Sequence, residues 1–516
     1  MASVSSPAKS AMVPSGSTDA AKPPRPRGAD GGPTPSPIVR ILNEEVRHYH
    51  RWCTPSTLIE QERIEDFYAS DVSISAGFFG TLVDHTGVFG EAERFAAAVQ
   101  GADRTMFSVH GSSGSNWIVL RMLALERPDA LILVARNIHH SIINALKAFG
   151  LNFRFLPTPY EGEFEAVLPP SVDQVVAGLR RYPEAIAVVY TSPTYEGLCA
   201  NTHAIAAAVH DASPETILFV DEAWGGHLHF HPELPSSAMD AGADVSVQST
   251  HKLAGGLQQT GLIHWREQRV DSELMEEAFR EYVTTSPSYH LLASADAAVR
   301  SLAANGRDAL GGCIARTRAL KAALRERLPR LVHLDDPAWT GRRWSHVAGT
   351  DLVKTTVALT GYDLSGFAVS QSLVERGIVI EKAGINTLTF ITTFQLEASA
   401  VEDTVRALED VLAGRELSEG AARPLATNPF AALDDRPVMH PYHARRYAKS
   451  IGQEVPIEAA IGRVAAEIVE VYPPGIPVIL EGFRVSEDAV RYLCEVRDMG
   501  GAIVARDTSL ETLRVL

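Results

Sequence analysis

The sequence of 516 residues is poor in cysteine, and its few cysteines lie far apart. They are Cys53, Cys199, Cys313 and Cys494, and no two of them form a Cys-x-x-Cys pair. Cysteines paired at short spacing are typical of zinc sites, and a dense set of cysteines is typical of small disulfide-stabilised domains. Neither class of protein is indicated here.

Long apolar runs and excess positive charge are also missing. No stretch of about 18 apolar residues occurs, and the N-terminus lacks the apolar core of a signal peptide. Lys and Arg number 47 against 63 Asp and Glu, so the formal net charge is −16 at pH 7. These features disfavour membrane and nucleic-acid partners, and we expect a cytoplasmic protein.

The composition is that of a globular protein, with 45% apolar and 21% charged residues. The chain is long enough for several domains. The first residues are rich in Ser, Pro, Gly and Ala without periodic apolar spacing, which predicts disorder. A helical pattern from Ile38 to about Phe67 predicts either an arm laid on another subunit or a plain packing helix. The predicted divisions are a tail at 1–38, an arm at 39–95, a large domain at 96–300, a small α+β domain at 301–420 and a C-terminal domain at 421–516.

Alternating strand and helix patterns dominate the middle of the chain. Apolar runs such as Ile217–Val220 alternate with helical patterns such as Val172–Arg181 over about 160 residues, which predicts an α/β fold with a mostly parallel, doubly covered sheet. Ligands bind beyond the carboxyl ends of such strands, so the polar groups that follow them are expected to face one crevice. Those groups are Ser112-Ser113, His139-His140, Thr191-Ser192, Asp221 to Ala223 and Ser249 to Lys252.

Two of these strand ends carry a lysine and an acid that together suggest a cofactor. Lys252 closes the stretch Ser249–Lys252 after one strand, and Asp221 follows the apolar run of the preceding strand. A lysine becomes a nucleophile when burial favours its neutral form. A fixed carboxylate keeps a pyridine nitrogen protonated, so that the ring can accept electrons. Lys252 with Asp221 is the pairing that pyridoxal phosphate requires, although the lysine stretch by itself is a weak signal.

Asp221 has other interpretations as well. It could cap a helix, or it could bind a metal together with nearby histidines. His227, His229 and His231 alternate in sequence and lack the i, i+4 spacing that pairs two histidines on a helix. A strand could still bring two of them together, so a metal site is kept as the less favoured alternative.

The segment from His110 to Asn116 joins a strand to a helix and predicts a phosphate site. Backbone N–H groups and the helix dipole would face the anion, and the hydroxyls of Ser112 and Ser113 add donors. An ordinary serine N-cap is the simpler alternative. His139 follows the strand at Leu131–Ala135, where an imidazole could stack on a planar ring, or could merely cap a helix or be solvated.

Together these motifs resemble the ornithine/lysine/arginine decarboxylase family, which are pyridoxal-phosphate enzymes of the aspartate-aminotransferase fold, fold type I. The resemblance implies a large domain with a mostly parallel, seven-stranded-type sheet, a smaller α+β domain and a C-terminal domain. The chain looks like the short form, without a receiver-like N-terminal domain. The motifs that carry the resemblance are Gly111-Ser112-Ser113, Arg136–His139, Thr191–Gly197, Asp221–Trp224, Gln248–Lys252, Thr285–Tyr289, Gly361–Leu364, Ile380–Lys382, Val455–Glu458, Gly462–Val464 and Tyr472–Pro477.

The resemblance also implies roles for the residues that would hold the cofactor. Lys252 would form the Schiff base, and Asp221 would hold the pyridine nitrogen. His139 would stack on the ring, with Ala223 packed on its other face. The residues expected at the phosphate are Ser112, Ser113, Ser249 and His251.

The remaining implied roles concern a second subunit and the substrate. Thr285 and Ser286 look like the segment that reaches the cofactor of a second subunit, so a homodimer would be the smallest unit. Trp224, with an acid of the C-terminal domain such as Glu458 or Glu467, would line the substrate pocket.

The predicted reaction is α-decarboxylation of an amino acid, preferably a basic one such as lysine, arginine or ornithine. The candidate catalytic side chains are His139, His251 and Lys252, and His251 or Lys252 would return a proton to the carbon that loses CO2. Aminotransferases of this fold usually hold the substrate carboxylate with an arginine late in the small domain, and Glu381–Phe394 contains none. A decarboxylase gains nothing by stabilising the group that it expels.

Two alternatives follow from departures near the predicted pocket. The segment Leu253–Gly256 after the lysine is smaller than the family pattern, which allows a different pyridoxal-phosphate reaction, such as transamination or oxidation. A non-catalytic relative that regulates a true decarboxylase is the second alternative. The presence of both Lys252 and Asp221 disfavours it.

Overall fold

A computed structural model of the chain describes residues 48–58, 64–72, 79–157, 159–337, 339, 343–432 and 434–516. Residues 50–516 form one compact unit, and of residues 1–49 only His48 and Tyr49 are described. The predicted tail at 1–38 and the first part of the predicted arm, 39–47, lie outside the described residues.

A seven-stranded sheet forms the centre of the large domain. Its strands are β1 (Arg104–Ser108), β2 (Leu131–Val134), β3 (Asn152–Phe155), β4 (Ala185–Thr191), β5 (Ile217–Asp221), β6 (Val245–Gln248) and β7 (Gly261–Trp265). They lie in the order β1-β7-β6-β5-β4-β2-β3. All neighbours pair in parallel except at β7, which runs antiparallel to β1 and β6. The predicted mostly parallel sheet is confirmed.

The register of the central strands brings their carboxyl ends to one level. Thr191 of β4 pairs with Asp221 of β5, and Asp221 in turn pairs with Val247 of β6. β5 and β6 are buried along their whole length and β4 at every residue except Ile186, as expected for parallel strands between two helical layers. The side chains that follow β4, β5 and β6 therefore start from the same edge of the sheet.

Helices cover both faces of this sheet. They are α1 (Gly87–Gln100), α2 (Gly111–Glu126), α3 (His140–Phe149), α4 (Val172–Arg181), α5 (Thr202–Ala212), the single turn α6 (Thr250–Leu253) and α7 (Ser272–Tyr282). Phe219 packs in the core that contains α2 and α3, whereas its neighbour Leu218 packs in the core that contains α4 and α5. Alternate side chains of β5 thus anchor opposite helical layers.

One long helix, α8 (Tyr289–Arg327), leads from the large domain to the small domain. The sequence pattern favours two helices there, Leu291–Ala304 and Ala309–Leu328, and that interruption is absent. Gly306 lies inside α8, and a Cβ at this position would come within 2.9 Å of the Phe230 side chain. The glycine therefore permits close packing and does not end the helix.

The small domain combines an antiparallel sheet with two helices. The strands are β8 (Val332–His333), β9 (Lys354–Ala358), β10 (Lys382–Ala383) and β11 (Thr387–Ile391), and the helices are α9 (Gly366–Val374) and α10 (Ala400–Leu412). The strand order is β8-β9-β11-β10. This is the α+β arrangement that the sequence predicts.

A strand at His50–Trp52 pairs in parallel with Ile378–Ile380 of the small domain. Trp52 is fully buried, and its indole N–H donates to Thr404 Oγ1 at 2.8 Å. The helix predicted from Ile38 to Phe67 is therefore wrong over this segment. Pairing with a sheet edge outweighs the local helical pattern.

The C-terminal domain contains a three-stranded antiparallel sheet. Its strands are β12 (Val469–Val471), β13 (Ile476–Ile479) and β14 (Ile503–Val504), and its helices are α11 (Pro441–Ile451) and α12 (Glu487–Asp498). The loop between β12 and β13 touches the large domain, where the Gly475 carbonyl accepts the His140 N–H at 3.0 Å. A buried ion pair between Lys147 of α3 and Glu481, at 2.6 Å, also joins the two domains. The predicted proline-rich turn thus docks onto the large domain.

Short further elements complete the described structure. They are the strands Tyr160–Glu161, Ala166–Val167, Leu198–Ala200, Val347–Thr350, Gln453–Pro456 and Thr512–Val515, and the 3-10 turns Leu228–Phe230 and Ile457–Ala460. Among the described helices, none combines the length and the apolar character that crossing a membrane requires.

Candidate active site

A cavity of about 570 Å³ lies at the carboxyl edge of the large sheet. The small domain contributes Glu381 to its wall, and the C-terminal domain contributes Tyr472, Pro474 and Ile476. The predicted site residues that line it are Ser112, Ser113, His139, Asp221, Trp224, Ser249, His251 and Lys252. All three domains of one chain therefore build a single cavity.

Lys252 lies in α6, the single helical turn that follows β6. Its Nζ is 3.9 Å from the centre of the Trp224 ring, and the residue lines the cavity. Burial lowers the pKa of Lys252 to about 8, against the opposing effects of Asp221 and Glu381 and with a smaller contribution from the charge of Lys354. An appreciable fraction of this amine is therefore neutral, as a nucleophile requires.

Asp221 ends β5 at the cavity and is 1% exposed. Asn116 Nδ2 donates to its Oδ2 at 3.1 Å, and the Ala223 N–H donates to its Oδ1 at 3.1 Å. Burial raises the pKa of Asp221, whereas Lys252 and these two donors lower it. Each carboxylate oxygen has a fixed donor, so the orientation of the carboxylate is set before any ligand arrives. Ala223 is buried next to it.

Hydroxyl groups gather at the start of α2. This helix begins at Gly111, so the predicted Gly/Ser loop is its first turn. Gly111 has φ +60°, in the left-handed region, and its N–H donates to the Gln259 carbonyl at 2.7 Å. The Ser249 hydroxyl donates to Ser112 Oγ at 2.8 Å, which ties the end of β6 to the helix start. A helix N-terminus with serine hydroxyls is a suitable site for a phosphate.

His251 lies beside the start of this helix. Its Nδ1 is 2.9 Å from the Thr260 carbonyl oxygen, and because a carbonyl only accepts, Nδ1 carries the proton. Burial lowers the pKa of His251 to about 4. The imidazole is therefore neutral at physiological pH with its one proton committed to Thr260. This geometry favours Lys252 over His251 as the group that returns a proton to carbon.

His139 precedes α3 and lies against the C-terminal domain. Its Nδ1 accepts the Ser141 N–H at 3.3 Å and is 2.9 Å from Ser141 Oγ. Gly475 approaches the other edge of the ring so closely that a Cβ there would lie 3.3 Å from its atoms. His139 therefore caps the helix, as the simpler alternative holds, and also presents a fixed ring to the cavity.

Five predicted residues do not line this cavity, and one of them is Ala223, which is buried beside Asp221. Thr285 and Ser286 are exposed in the segment between α7 and α8. Glu458 is exposed in a 3-10 turn, and Glu467 accepts the N–H groups of two arginines, one of them Arg514 at 2.6 Å. The Glu467 carboxylate is held by backbone N–H groups of its own domain, and Glu458 is exposed to solvent. Neither acid lines the cavity of its own chain.

Several residues around the site were not assigned a role from sequence, and four of them are Asn116, Tyr195, Glu381 and Tyr472. The Tyr195 hydroxyl donates to Glu381 Oε1 at 2.6 Å, and the Thr54 N–H donates to Glu381 Oε2 at 2.7 Å. Three of the four lie within motifs that carry the family resemblance, so their motifs were a usable signal. Asn116 lies inside a helix, and nothing in the sequence distinguishes it.

The three histidines considered for a metal site each have a different partner. His227 Nε2 lies 3.0 Å from Asp351, His229 Nδ1 lies 2.9 Å from Asp240, and His231 Nδ1 accepts a backbone N–H. Among the described residues, no group of three His, Cys, Asp or Glu side chains has the geometry to hold a metal ion.

Comparisons with known proteins give a consistent result. The family model for the major domain of Orn/Lys/Arg decarboxylases matches residues 63–344, and the model for their C-terminal domain matches residues 424–502. An arginine decarboxylase from Halalkalibacterium halodurans is 31% identical over 452 residues, covering 86% of this chain and 88% of the relative. The arginine decarboxylase of Bacillus subtilis is also 31% identical, over 83% of this chain and 86% of the relative.

A solved structure gives the same fold. The constitutive lysine decarboxylase of Escherichia coli superposes with a TM-score of 0.71 at 24% identity, over 86% of this chain and 75% of that one.

Proposed function

Because the chain belongs to the Orn/Lys/Arg decarboxylase family, we propose that it removes the α-carboxyl group of a basic amino acid and releases CO2 and an amine. The enzyme is a lyase that depends on pyridoxal phosphate. The observation that carries the proposal is the placement of Lys252 and Asp221 on one cavity, with Glu381 as the other carboxylate in its described wall.

The residues of the cavity fit the cofactor. Asp221 offers an oriented, buried carboxylate for a ring nitrogen, and Lys252 offers an amine of lowered pKa for an aldehyde. Ser112, Ser113 and Ser249 offer hydroxyls at a helix start for a phosphate. The Thr191 hydroxyl, which lines the cavity, is buried without a hydrogen-bond partner among the described residues, as expected of a group that a ligand satisfies.

Pyridoxal phosphate supplies a ring that accepts the electrons left on the α-carbon as CO2 departs. The protein contributes the groups around that carbon. Trp224 lies over Lys252, and Tyr195 packs edge-on against Trp224 at 4.6 Å, so aromatic surface covers one side of the amine. Lys252 can then hold a proton and return it to the carbon.

Substrate selection is proposed to depend on Glu381. The side chain of a basic amino acid ends in a cation, and a carboxylate in a cavity sheltered from water is its natural partner. Glu381 is held by Tyr195 and Thr54, which fixes the direction of its oxygens. Among the described residues of the wall there is no arginine that would clamp the α-carboxylate. This supports decarboxylation over transamination.

We propose that the enzyme acts as a homodimer or a higher homo-oligomer in the cytoplasm. Thr285 and Ser286 are exposed and lie outside their own cavity, which supports a contact with the cofactor of a second subunit. All four cysteines are free thiols, which suits a reducing compartment. Light scattering on the purified protein tests the dimer, and a monomer would contradict it.

The test of the function is product analysis. The purified protein, loaded with pyridoxal phosphate, is given arginine, lysine and ornithine in separate reactions, and CO2 and the amine product are measured. We expect both products in equal amounts from at least one substrate, and none with Lys252→Ala. A keto acid in place of the amine would show transamination, peroxide would show oxidation, and no product from any substrate would contradict the proposal.

A further inference from the structure

One side-chain amide connects two separate parts of the cofactor site. Asn116 lies in the first turns of α2 and is 0% exposed. Its Nδ2 donates to Asp221 Oδ2 at 3.1 Å and to Ser141 Oγ at 3.1 Å. Ser141 Oγ in turn lies 2.9 Å from His139 Nδ1. A continuous chain of hydrogen bonds therefore joins the carboxylate of Asp221 to the imidazole of His139.

The hydrogen-bonding partners of Asn116 determine whether its amide nitrogen or its amide oxygen faces Asp221. An amide oxygen placed against the Asp221 carboxylate would bring two acceptors together, so the nitrogen must face it. Asn116 Oδ1 is buried without a hydrogen-bond partner among the described residues. A buried acceptor without a partner is costly, and the two hydrogen bonds that the amide nitrogen donates offset that cost. Both amide hydrogens therefore serve Asp221 and Ser141.

This direction fixes the proton position on His139. Since Ser141 Oγ accepts from Asn116, the single hydroxyl hydrogen of Ser141 is directed to His139 Nδ1. The Ser141 N–H also donates to Nδ1 at 3.3 Å. Nδ1 is thus an acceptor, and the ring carries its proton on Nε2, the nitrogen that lies against Gly475.

The charged groups around His139 agree with a neutral ring. The His140 ring lies 4.0 Å away, between centroids, and Lys252 lies across the cavity. Burial first, and then these two bases, lower the pKa of His139 well below its usual value. The carboxylate of Glu470 pairs with His140 Nδ1 at 2.9 Å.

We propose that Asn116 is a positioning residue that orients the Asp221 carboxylate and, through Ser141, holds His139 as the tautomer with its proton on Nε2. This inference rests on the proposed function, because both residues are expected to contact pyridoxal phosphate. Loss of the amide should therefore weaken the site at the ring nitrogen and at the ring face together. Loss of the Ser141 hydroxyl should affect only the ring face.

The test is a titration of apoprotein with pyridoxal phosphate, followed by protein fluorescence. Asn116→Asp keeps the shape but sets a carboxyl group against Asp221, and we expect its affinity for the cofactor to fall by at least about tenfold, the loss expected for a hydrogen bond to a charged group. Ser141→Ala should lose less, about threefold, because the Ser141 backbone N–H still serves His139. The pH at which the bound cofactor changes its visible spectrum should shift in Asn116→Asp.

Asn386→Asp is the matched control. Asn386 is also a fully buried asparagine, but its amide donates to the Pro424 carbonyl and the residue does not line this cavity. It should keep wild-type affinity and wild-type spectral pH dependence. Equal losses in both asparagine variants, or unchanged affinity in Asn116→Asp, would overturn the inference. If wild-type apoprotein itself failed to bind pyridoxal phosphate, the proposed function would fall and this inference with it.

Discussion

Two lysines contact the same tryptophan, and only one has the surroundings of a nucleophile. Lys252 Nζ lies 3.9 Å and Lys354 Nζ 4.4 Å from the centre of the Trp224 ring. Burial is the largest influence on both amines and lowers the pKa of each. Lys354 Nζ, however, donates to the backbone carbonyls of Thr194 and Tyr195, at 3.2 and 3.0 Å. Lys252 lines the cavity, whereas Lys354 does not.

The difference shows that a lowered pKa does not by itself identify a catalytic amine. A buried lysine that donates to carbonyls and faces acids such as Asp351 is a structural cation. An amine becomes available for chemistry when it keeps its lowered pKa and also faces space that a ligand can fill. Variants of the two lysines separate these two conditions.

The largest expected effect is the loss of activity on replacing Lys252. Lys252→Arg keeps a positive charge but lacks an amine that can react with an aldehyde, so we expect decarboxylation to fall by about 10⁴-fold or more. The measurement is CO2 release from the preferred substrate under saturating cofactor. A residue that acts only indirectly is expected to change the rate by no more than about tenfold. Activity of Lys252→Arg within that range would therefore show that the amine is not the nucleophile.

Lys354→Met is the matched variant. It removes a buried cation and leaves its acidic neighbours without that partner, so we expect the free energy of unfolding to fall by about 3 kcal/mol. Its activity should stay within about tenfold of wild type when the protein is folded. A loss as large as that of Lys252→Arg, in a folded protein, would remove the distinction between the two lysines.

The second effect concerns Glu381, whose charge raises the pKa of both lysines. Glu381 lines the cavity, and Glu381→Gln keeps its size while removing its charge. We expect KM for the basic substrate to rise by about a hundredfold, because a charge-assisted hydrogen bond to the substrate cation is lost, with a smaller change in kcat. Steady-state kinetics measure both. An unchanged KM with a reduced kcat would assign Glu381 to the chemistry and not to recognition.

The third effect compares two glycines of the C-terminal domain. Gly475 and Gly462 have φ +77° and +80°, so alanine strains the backbone at either position. Only at Gly475 would the added Cβ press on the His139 ring, at 3.3 Å, whereas the space at Gly462 is open. We expect each Gly→Ala variant to lose about 1 kcal/mol of unfolding free energy, but only Gly475→Ala to lose about tenfold in kcat/KM. Equal kinetic losses would assign the effect to strain alone.

The sequence predicts the parts of this site that lie at the carboxyl ends of strands. Asp221 and Lys252 follow apolar runs whose pairing is parallel, and the fold places the ends of such strands together. The residues predicted to bind a phosphate line the same cavity, although the helix starts earlier than expected, at Gly111.

Contacts between domains could not be derived in this way. Glu381 and Tyr472 reach the cavity from the small and C-terminal domains, more than a hundred residues beyond Lys252 in the chain. Their positions depend on how the domains dock, which no local pattern encodes. The acids proposed instead, Glu458 and Glu467, were chosen by residue type. Their backbone geometry and exposure keep them from the cavity of their own chain.

The smallest expected effect is a shift in the pH dependence of Lys252. Its pKa is lowered to about 8, so the rate at which apoprotein condenses with pyridoxal phosphate should rise with pH below that value and level off above it. The charge of Lys354 contributes to this lowering, and the charge of Glu381 opposes it. Lys354→Met should therefore move the midpoint up by about half a pH unit, which slows the reaction below the midpoint about threefold, and Glu381→Gln should move it down. Stopped-flow absorbance measures the rates. An unchanged midpoint in both variants would mean that burial alone sets the reactivity of the amine, and the two charges would then have no part in distinguishing Lys252 from its neighbour.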